Sequence, residues 1–279
     1  MGRCEWFVRS TFSYNVRMAM TVPEIRAALQ AADAQAFAVL ERSYADDPRK
    51  GVHAAVEAAR RRIEAESAER RRVEGLFRFE EELCASRGAA LAVGLDEVGR
   101  GPLAGPLAVG AVVFADCTPI MGLNDSKQVR PERRTEIAAL VKEAAAAWAI
   151  EYIEPAEIDR IGMTASLRKA FTAAVTDIEA QGIMPDAILL DGNPLHFDKR
   201  EVNIVKGDAQ CASIAAASII AKVARDALMC EKAELYPAYG FAENKGYASA
   251  AHIRAIEQHG LCPEHRVSFC GSFMQQTLF

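Results

Sequence analysis

The hydrophobic pattern of the chain changes texture near residue 89. Before that point apolar positions recur at helical spacing. Pro23 to Ser43 predicts a helix, opened by Thr21-Val22-Pro23-Glu24, a capping box with proline in the first turn. Asp46-Asp47-Pro48-Arg49-Lys50-Gly51 interrupts it, and Val52 to Cys84 resumes as a long helix rich in alanine and arginine. Ser86-Arg87-Gly88 is the best boundary. Beyond it, short apolar runs predict strands at Leu91–Leu95, Leu107–Phe114, Trp148–Ile153, Ala187–Leu190 and Val202–Val205. Pro131 opens a helix to about Ala147, with Ile137, Leu140 and Val141 on its apolar side. Further helices are predicted at Thr164–Gln181, Ala209–Leu235 and Ser249 to about Gln258, with a short turn or helix at Pro155–Asp159. Strands alternating with helices make an α/β core with a mixed sheet, behind a small helical N-terminal extension.

Composition adds limits. With 51% apolar and 25% charged residues, the 279-residue chain is globular in type and holds one large domain, or a medium one with an appendage. The expected organisation is a disordered or over-read start at 1–20, a helical accessory region at 21–88, the main α/β domain at 89–270 and a tail at 271–279. A formal net charge of -5 argues against a nonspecific basic binder, although a local patch outweighs the total. From Arg49 to Arg72 there are eight basic residues against four acidic ones. They form either a solvated face laced by pairs such as Glu57/Arg61 and Glu66/Arg70, or an element that touches phosphate backbone without reading sequence. Seven cysteines without a CxxC pair fit a reducing compartment. No run reaches transmembrane length, and the first twenty residues contain Glu5 and lack a continuous apolar core, so neither a membrane partner nor a secretory signal is expected. The expected compartment is the cytoplasm.

The chemistry concentrates in LAVGLDEVGRGPLAGP, residues 91–106. A core strand there ends in Asp96 and Glu97 and enters a turn with three glycines. Acidic residues rarely stay buried unless paired or coordinated. A third carboxylate, Asp191, ends another apolar strand, and Asp208 follows the brief strand at 202–205. Hard divalent cations want such oxygen ligands, and two ions can bracket a scissile phosphate. Neighbours on a strand point to opposite faces, so Asp96 and Glu97 share one centre only if the strand twists or breaks, or if one acts through its carbonyl. Spacing alone leaves open that Asp191-Gly192 is a turn and Asp208 a helix N-cap.

Six blocks now stand in order: DEVGRGPLAGP at 96–106, NDSK at 124–127, Asp191-Gly192, KGDAQCASIAAASIIAKVARD at 206–226, NKGYASAAH at 244–252 and EHRVSF at 264–269. Together they resemble the ribonuclease HII family over residues 89 to 270. The 21–88 region, with Asp47-Pro48-Arg49-Lys50, is similar to the helical extension of some bacterial members. Departures are mild: Gln128-Val129 stands where lysine-leucine is usual, and Asn193-Pro194 is peculiar to this chain.

The resemblance implies a ribonuclease H-like fold with an acidic quartet at Asp96, Glu97, Asp191 and Asp208, which would hold two divalent ions, Mg²⁺ or Mn²⁺, when substrate is bound. It implies hydrolysis of the phosphodiester 5′ to a ribonucleotide, in RNA/DNA hybrids and in duplex DNA with embedded ribonucleotides, leaving 3′-hydroxyl and 5′-phosphate ends. Gly99, Arg100 and Gly101 match the turn that senses the 2′-hydroxyl, the group that tells RNA from DNA. Tyr247 matches the tyrosine stacked on the sugar after the ribonucleotide. Lys127, Lys206 and Lys222 are candidates for phosphate contact. Ser126 and Asp226 are given supporting or structural parts, and His252 and His265 are read as supporting the last helix and tail. Two other functions compete: another Mg²⁺-dependent phosphoryl-transfer enzyme, and a noncatalytic duplex-binding module. The lack of GxxxxGK[ST] counts against nucleotide hydrolysis, and the four retained acids, which repel phosphate, count against a mere binder. Finally, Gln275, Leu278 and Phe279 either strap the terminus onto the domain or resemble the Q-x-x-L-F peptide that docks bacterial proteins on the sliding clamp.

Overall fold

The structure, a computed structural model, describes residues 20–274, with side chains as far as Gly271. Two compact units divide at Arg71/Arg72. In the first, α1 (Val22–Ala31) and α2 (Ala34–Ser43) replace the single helix expected over 23–43. The break has a local cause. The Asp33 carboxylate accepts the Ala36 amide at 2.8 Å, a side-chain cap that competes with continuing the helix. Ile25, Leu29, Phe37, Tyr44, Val52 and Val56 form the apolar core of this unit. Its arginines pair differently from the expected spacing, Glu57 with Arg60 and Glu66 with Arg62. Arg60 also reaches Glu41 at 2.7 Å, and Arg62 caps the end of α1 through the Ala32 carbonyl at 2.6 Å. Arg49 grips Asp47 through two bonds, and that grip holds the Asp47 carboxyl down at about 2. Arg60 and Arg62 therefore hold helices together and Arg49 fixes the stretch between two of them, while Arg61, Arg70 and Arg71 remain exposed.

α3 (Lys50–Ser86) is one unbroken helix of 37 residues. Its last turns belong to the second unit, where Val73, Leu76 and Phe77 join the core. That unit is built on β1 (Ala92–Val98), β2 (Leu107–Val113), β3 (Ala147–Ile153), β4 (Ala187–Asp191) and β5 (Glu201–Ile204), in the order β3-β2-β1-β4-β5. β1, β2 and β3 are antiparallel, whereas β4 and β5 run parallel to β1. Around the sheet lie α4 (Pro131–Ala144), α5 (Pro155–Ile161), α6 (Met163–Ala180), α7 (Ala212–Leu235), α8 (Phe241–Asn244), α9 (Ala250–His259) and α10 (Val267–Met274). On one face α6 packs Leu167, Phe171, Val175 and Ile178 against Val93, Leu95, Val109 and Ile188.

α7 covers the other face, and its small residues allow an unusually close approach. A Cβ on Gly94 of β1 would lie 2.3 Å from the Ser213 backbone, and one on Gly110 of β2 would lie 2.3 Å from the Ala217 carbonyl. The first turn of α7 has free amides to satisfy. Glu80, from the end of α3, does so: its carboxylate accepts the Ser213 amide at 2.8 Å and the Cys211 thiol at 3.1 Å, and burial pushes its pKa up.

Several expectations shift. β1 runs three residues past Leu95, so both of its acids lie within the strand. α7 begins at Ala212, not Ala209, because Gly207–Ala209 forms a 3₁₀ turn. Leu140 is 43% exposed, and Ala138 takes the buried place on α4 beside Ile137 and Val141. The short α8 occupies the loop expected at 239–247. α10, which sequence spacing did not reveal, is capped by Asp159 of α5, whose carboxylate accepts the Val267 and Ser268 amides at 2.7 and 3.0 Å. Among the described residues no helix is long and apolar enough to cross a membrane.

Candidate active site

Parallel neighbours end at the same edge of a sheet, and that edge is where open α/β sheets gather their ligands. β1 and β4 are paired in register to Leu95↔Leu190, so the next residue of each, Asp96 and Asp191, stand side by side. Alternation points both toward α7, the face shared by Ala92, Leu189 and Ile214. From α7 the Ser218 hydroxyl hydrogen-bonds Asp96, and it lies 2.9 Å from the Ser126 hydroxyl. The strand does not break after Asp96. It stays paired with β2 to Val98↔Ala108, so Glu97 turns to the opposite face, where its side chain is 19% exposed and 3.5 Å from Arg100. Asp208 is no helix cap. It is buried in the 3₁₀ turn, which is tied to the strand end by the Gly207 amide donating to Asp191 Oδ1 at 2.6 Å.

These acids feel one another. Burial, then Glu97 and Asp191, drives the Asp96 carboxyl well above the usual range. Burial first and Asp191 after it raise Glu97 against the opposing pull of Arg100. Asp208 is raised by burial, then by Asp191 and Asp125. Lys127 answers them from the loop before α4. Partial burial lowers its pKa, yet Asp125, Asp208, Asp96 and Asp191 together leave it raised. Oxygen-only donors held under mutual repulsion fit a hard divalent cation, whose charge would relieve what raises them. Among the described residues no three such groups are drawn tight enough to hold an ion as they stand. The acids are near enough for like charge to raise the pKa of Asp96, Glu97 and Asp208.

Beside them lie two glycine loops. Gly99, with φ of 88°, opens the connection to β2, and Arg100 and Gly101 are exposed. Leu103 and Ala104 both donate to the Gly246 carbonyl, at 2.9 and 3.2 Å, seating this loop on Lys245-Gly246-Tyr247. Tyr247 is 44% exposed. Its carbonyl meets His252 Nδ1 at 2.9 Å, and His252 Nε2 meets His265 Nε2 at 3.0 Å. Burial lowers both imidazoles, His265 to about 4, and the pair props the tyrosine loop from behind.

The other expected residues divide. Lys206 is exposed, in the left-handed region at φ of 58°. Lys222 is committed to Asp226 at 2.7 Å, with Arg134 at 3.9 Å, so both α7 residues belong to a local ion cluster. Gln275, Leu278 and Phe279 lie outside the described residues, as does the start at 1–19. Sequence reasoning missed Ser218, Asp125, Arg225 and Arg266. The two arginines are fully buried beneath the glycine loops, and the only sequence signal was a charge set in an otherwise small-residue helix and another in EHRVSF.

Comparison with known proteins adds to this geometry. The family described as Ribonuclease HII matches residues 93–272, and Ribonuclease HII N-terminal domain matches residues 21–84. Ribonuclease HII of Bacillus licheniformis is 39% identical over 250 residues, covering 90% of this chain and 96% of the relative. That of Solibacter usitatus is 44% identical over 198 residues, covering 70% of this chain and 86% of the relative. Among solved structures, ribonuclease H2 from Pyrococcus horikoshii superposes with a TM-score of 0.57 at 26% identity, over 67% of this chain and 98% of that one. Fold and both regions of the sequence agree: the chain belongs to the ribonuclease HII family and is a metal-dependent hydrolase of the ribonuclease H type.

Proposed function

We propose that the chain hydrolyses the phosphodiester 5′ to ribonucleotides, both in RNA/DNA hybrids and at single ribonucleotides embedded in duplex DNA, leaving 3′-hydroxyl and 5′-phosphate ends. The observation that carries this reading is that Asp96 and Asp191 directly follow Leu95 and Leu190, the last paired residues of parallel β1 and β4, with Asp208 in the 3₁₀ turn that Gly207 ties to Asp191. Asp96, Glu97, Asp191 and Asp208 would hold two divalent ions, Mg²⁺ or Mn²⁺. When bound, such ions supply an activated water and neutralise charge at the phosphate and the departing oxygen. Ser218 keeps Asp96 oriented, and the Gly207 amide does the same for Asp191. Lys127, drawn toward the acids, neutralises phosphate at the rim, and Lys206, exposed just after β5, is a second candidate for phosphate contact. Lys222, paired with Asp226, is a further candidate for phosphate contact. Arg100 and the amides around it read the 2′-hydroxyl and adjoining phosphate. Residues 21–88 serve as a helical accessory region to the catalytic domain at 89–270.

The test is a metal titration on labelled duplexes that differ only in ribonucleotide number, with cleavage positions mapped. Cuts on the 5′ side of each ribonucleotide, and none in the all-deoxy duplex or without metal, are expected. Cutting of the all-deoxy duplex would overturn the reading.

Tyr247→Ala removes a stacking surface and no ligand. It should lower cleavage at a single ribonucleotide roughly ten-fold, on the scale of one lost stacking contact. Calorimetric Mg²⁺ affinity should stay as it was. Unchanged rates on both the one-ribonucleotide duplex and the hybrid would show that the ring faces no substrate.

The same family of expectations extends to the tail, where Gln275 would set register and Leu278 and Phe279 would fill a groove on the sliding clamp. A chain ending at Met274 should keep its activity and Tm and lose binding to immobilised clamp. A markedly lower Tm in a chain that never bound the clamp would mean that the tail is a strap.

A further inference from the structure

Arg225 and Arg266 are the two largest fully buried side chains, and neither makes an ion pair among the described residues. Burying a charge without a counter-ion is costly unless hydrogen bonds replace its water. Here main-chain carbonyls replace it. Arg266 donates to Gly99 at 2.6 Å, to Arg100 at 3.2 Å, and to Gly105 at 3.0 and 2.7 Å. Arg225 donates to Pro106 at 2.8 Å, Ala104 at 3.2 Å and Lys245 at 3.0 Å. One guanidinium thus gathers the turn after β1, and the other bridges that turn to the tyrosine loop. Burial lowers the pKa of each, and for Arg266 the neighbouring Arg225 adds to the effect. Apolar side chains in these places would leave the inward carbonyls of both loops without donors.

A trans peptide is planar, with its carbonyl and its amide pointing in opposite directions. No cis peptide occurs among the described residues. Because the Gly99 and Arg100 carbonyls aim inward at Arg266, the Arg100 and Gly101 amides must aim outward. Neither amide has a partner among the described residues. The buried fork therefore sets the direction of two free donors on the outer surface. The fit is close: a Cβ on Gly99 would lie 2.2 Å from Arg225 Nε, and one on Gly246 would lie 2.1 Å from the Ala104 carbonyl.

We propose that Arg225 and Arg266 are positioning residues, which aim the outward amides of the Gly99–Gly101 turn and lock that turn to the Lys245–Tyr247 loop as one unit. The kinetic part of this proposal rests on the reading of these loops as the ribonucleotide-sensing surface. The test uses the full chain carrying Arg225→Lys or Arg266→Lys, which keep the charge and lose the planar fork. Hydrogen exchange in Mg²⁺ is the first readout. Arg225→Lys should speed exchange at the Leu103 and Ala104 amides and at the Tyr247 amide together, with the amides of β1, β2 and α7 unchanged. Loosening of one loop alone, or of the whole domain, overturns the proposal.

Kinetics is the second readout. Arg225→Lys should lower kcat/KM on the one-ribonucleotide duplex about ten-fold, yet cost less than about two-fold when Tyr247→Ala is already present, since residues acting as one unit are not additive. A full ten-fold cost in both backgrounds overturns the coupling. If exchange behaves as expected while neither Tyr247→Ala nor the arginine variants alter cleavage, the locking stands and the sensing role given to the loops is what fails.

Discussion

Asp96→Asn and Asp191→Asn should each abolish cleavage in Mg²⁺ and leave the fold intact. A carboxamide keeps the shape and loses the charge that would hold an ion, at the two positions where parallel strands bring acids side by side. Stability should move the other way. Asp96, Glu97 and Asp208 all have raised pKa values when metal-free, so each binds its proton more tightly folded than unfolded. Their contribution is therefore favourable at low pH. It is lost as pH rises from the unfolded carboxylate range, about 4, through the raised folded values. In chelator, Tm should fall over that window, Mg²⁺ should restore it near neutrality, and Asp96→Asn should melt higher than the parent. Thermal melts across pH, with and without Mg²⁺, check this beside the cleavage assay. Substantial turnover by both folded variants in saturating metal would end the assignment of the acids.

The largest expected loss of stability comes from a single methyl group. Gly94→Ala places a Cβ 2.3 Å from the backbone of Ser213, where no flexible side chain can yield. α7 would have to lift from β1. Overpacking of this kind costs about 3 kcal/mol. For a unit of this size, Tm should then fall by roughly 10 °C. Activity should drop further than stability explains, because the displaced helix carries Ser218, the partner of Asp96. A melt within a degree or two of the parent would show that helix and strand are not in contact as described.

What could be read in advance follows how local its cause is. The strands carrying Asp96 and Asp191 were legible because an apolar run stopped at a charge, and α7 because small residues recur along it. The break at Asp33 was missed because helix periodicity persists across it, and only the capping bond reveals it. β1 was expected to stop at Leu95, where the apolar run ends, but pairing with β2 carries it on to Val98. Arg225 and Arg266 could not have been placed at all. Their partners lie across the fold at Gly99 to Pro106, and no spacing rule links residues that distant in sequence. The same holds for Asp159, which caps α10.

The continuity of α3 bears on how the accessory region could have been gained or shed. Ser86-Arg87-Gly88 reads as a seam in the sequence, yet the helix passes Arg71 without interruption and gives its final turns to the α/β unit. A deletion ending at the seam would take Val73, Leu76 and Phe77 from under the sheet. It would also strip Glu80 from the amides that open α7. A relative lacking the accessory helices would need a replacement lid for that face and a different acceptor at the same helix start. The compact helical unit thus ends near Arg71, and the fifteen residues from Arg72 to Ser86 pack with the α/β unit although the N-terminal family match reaches residue 84.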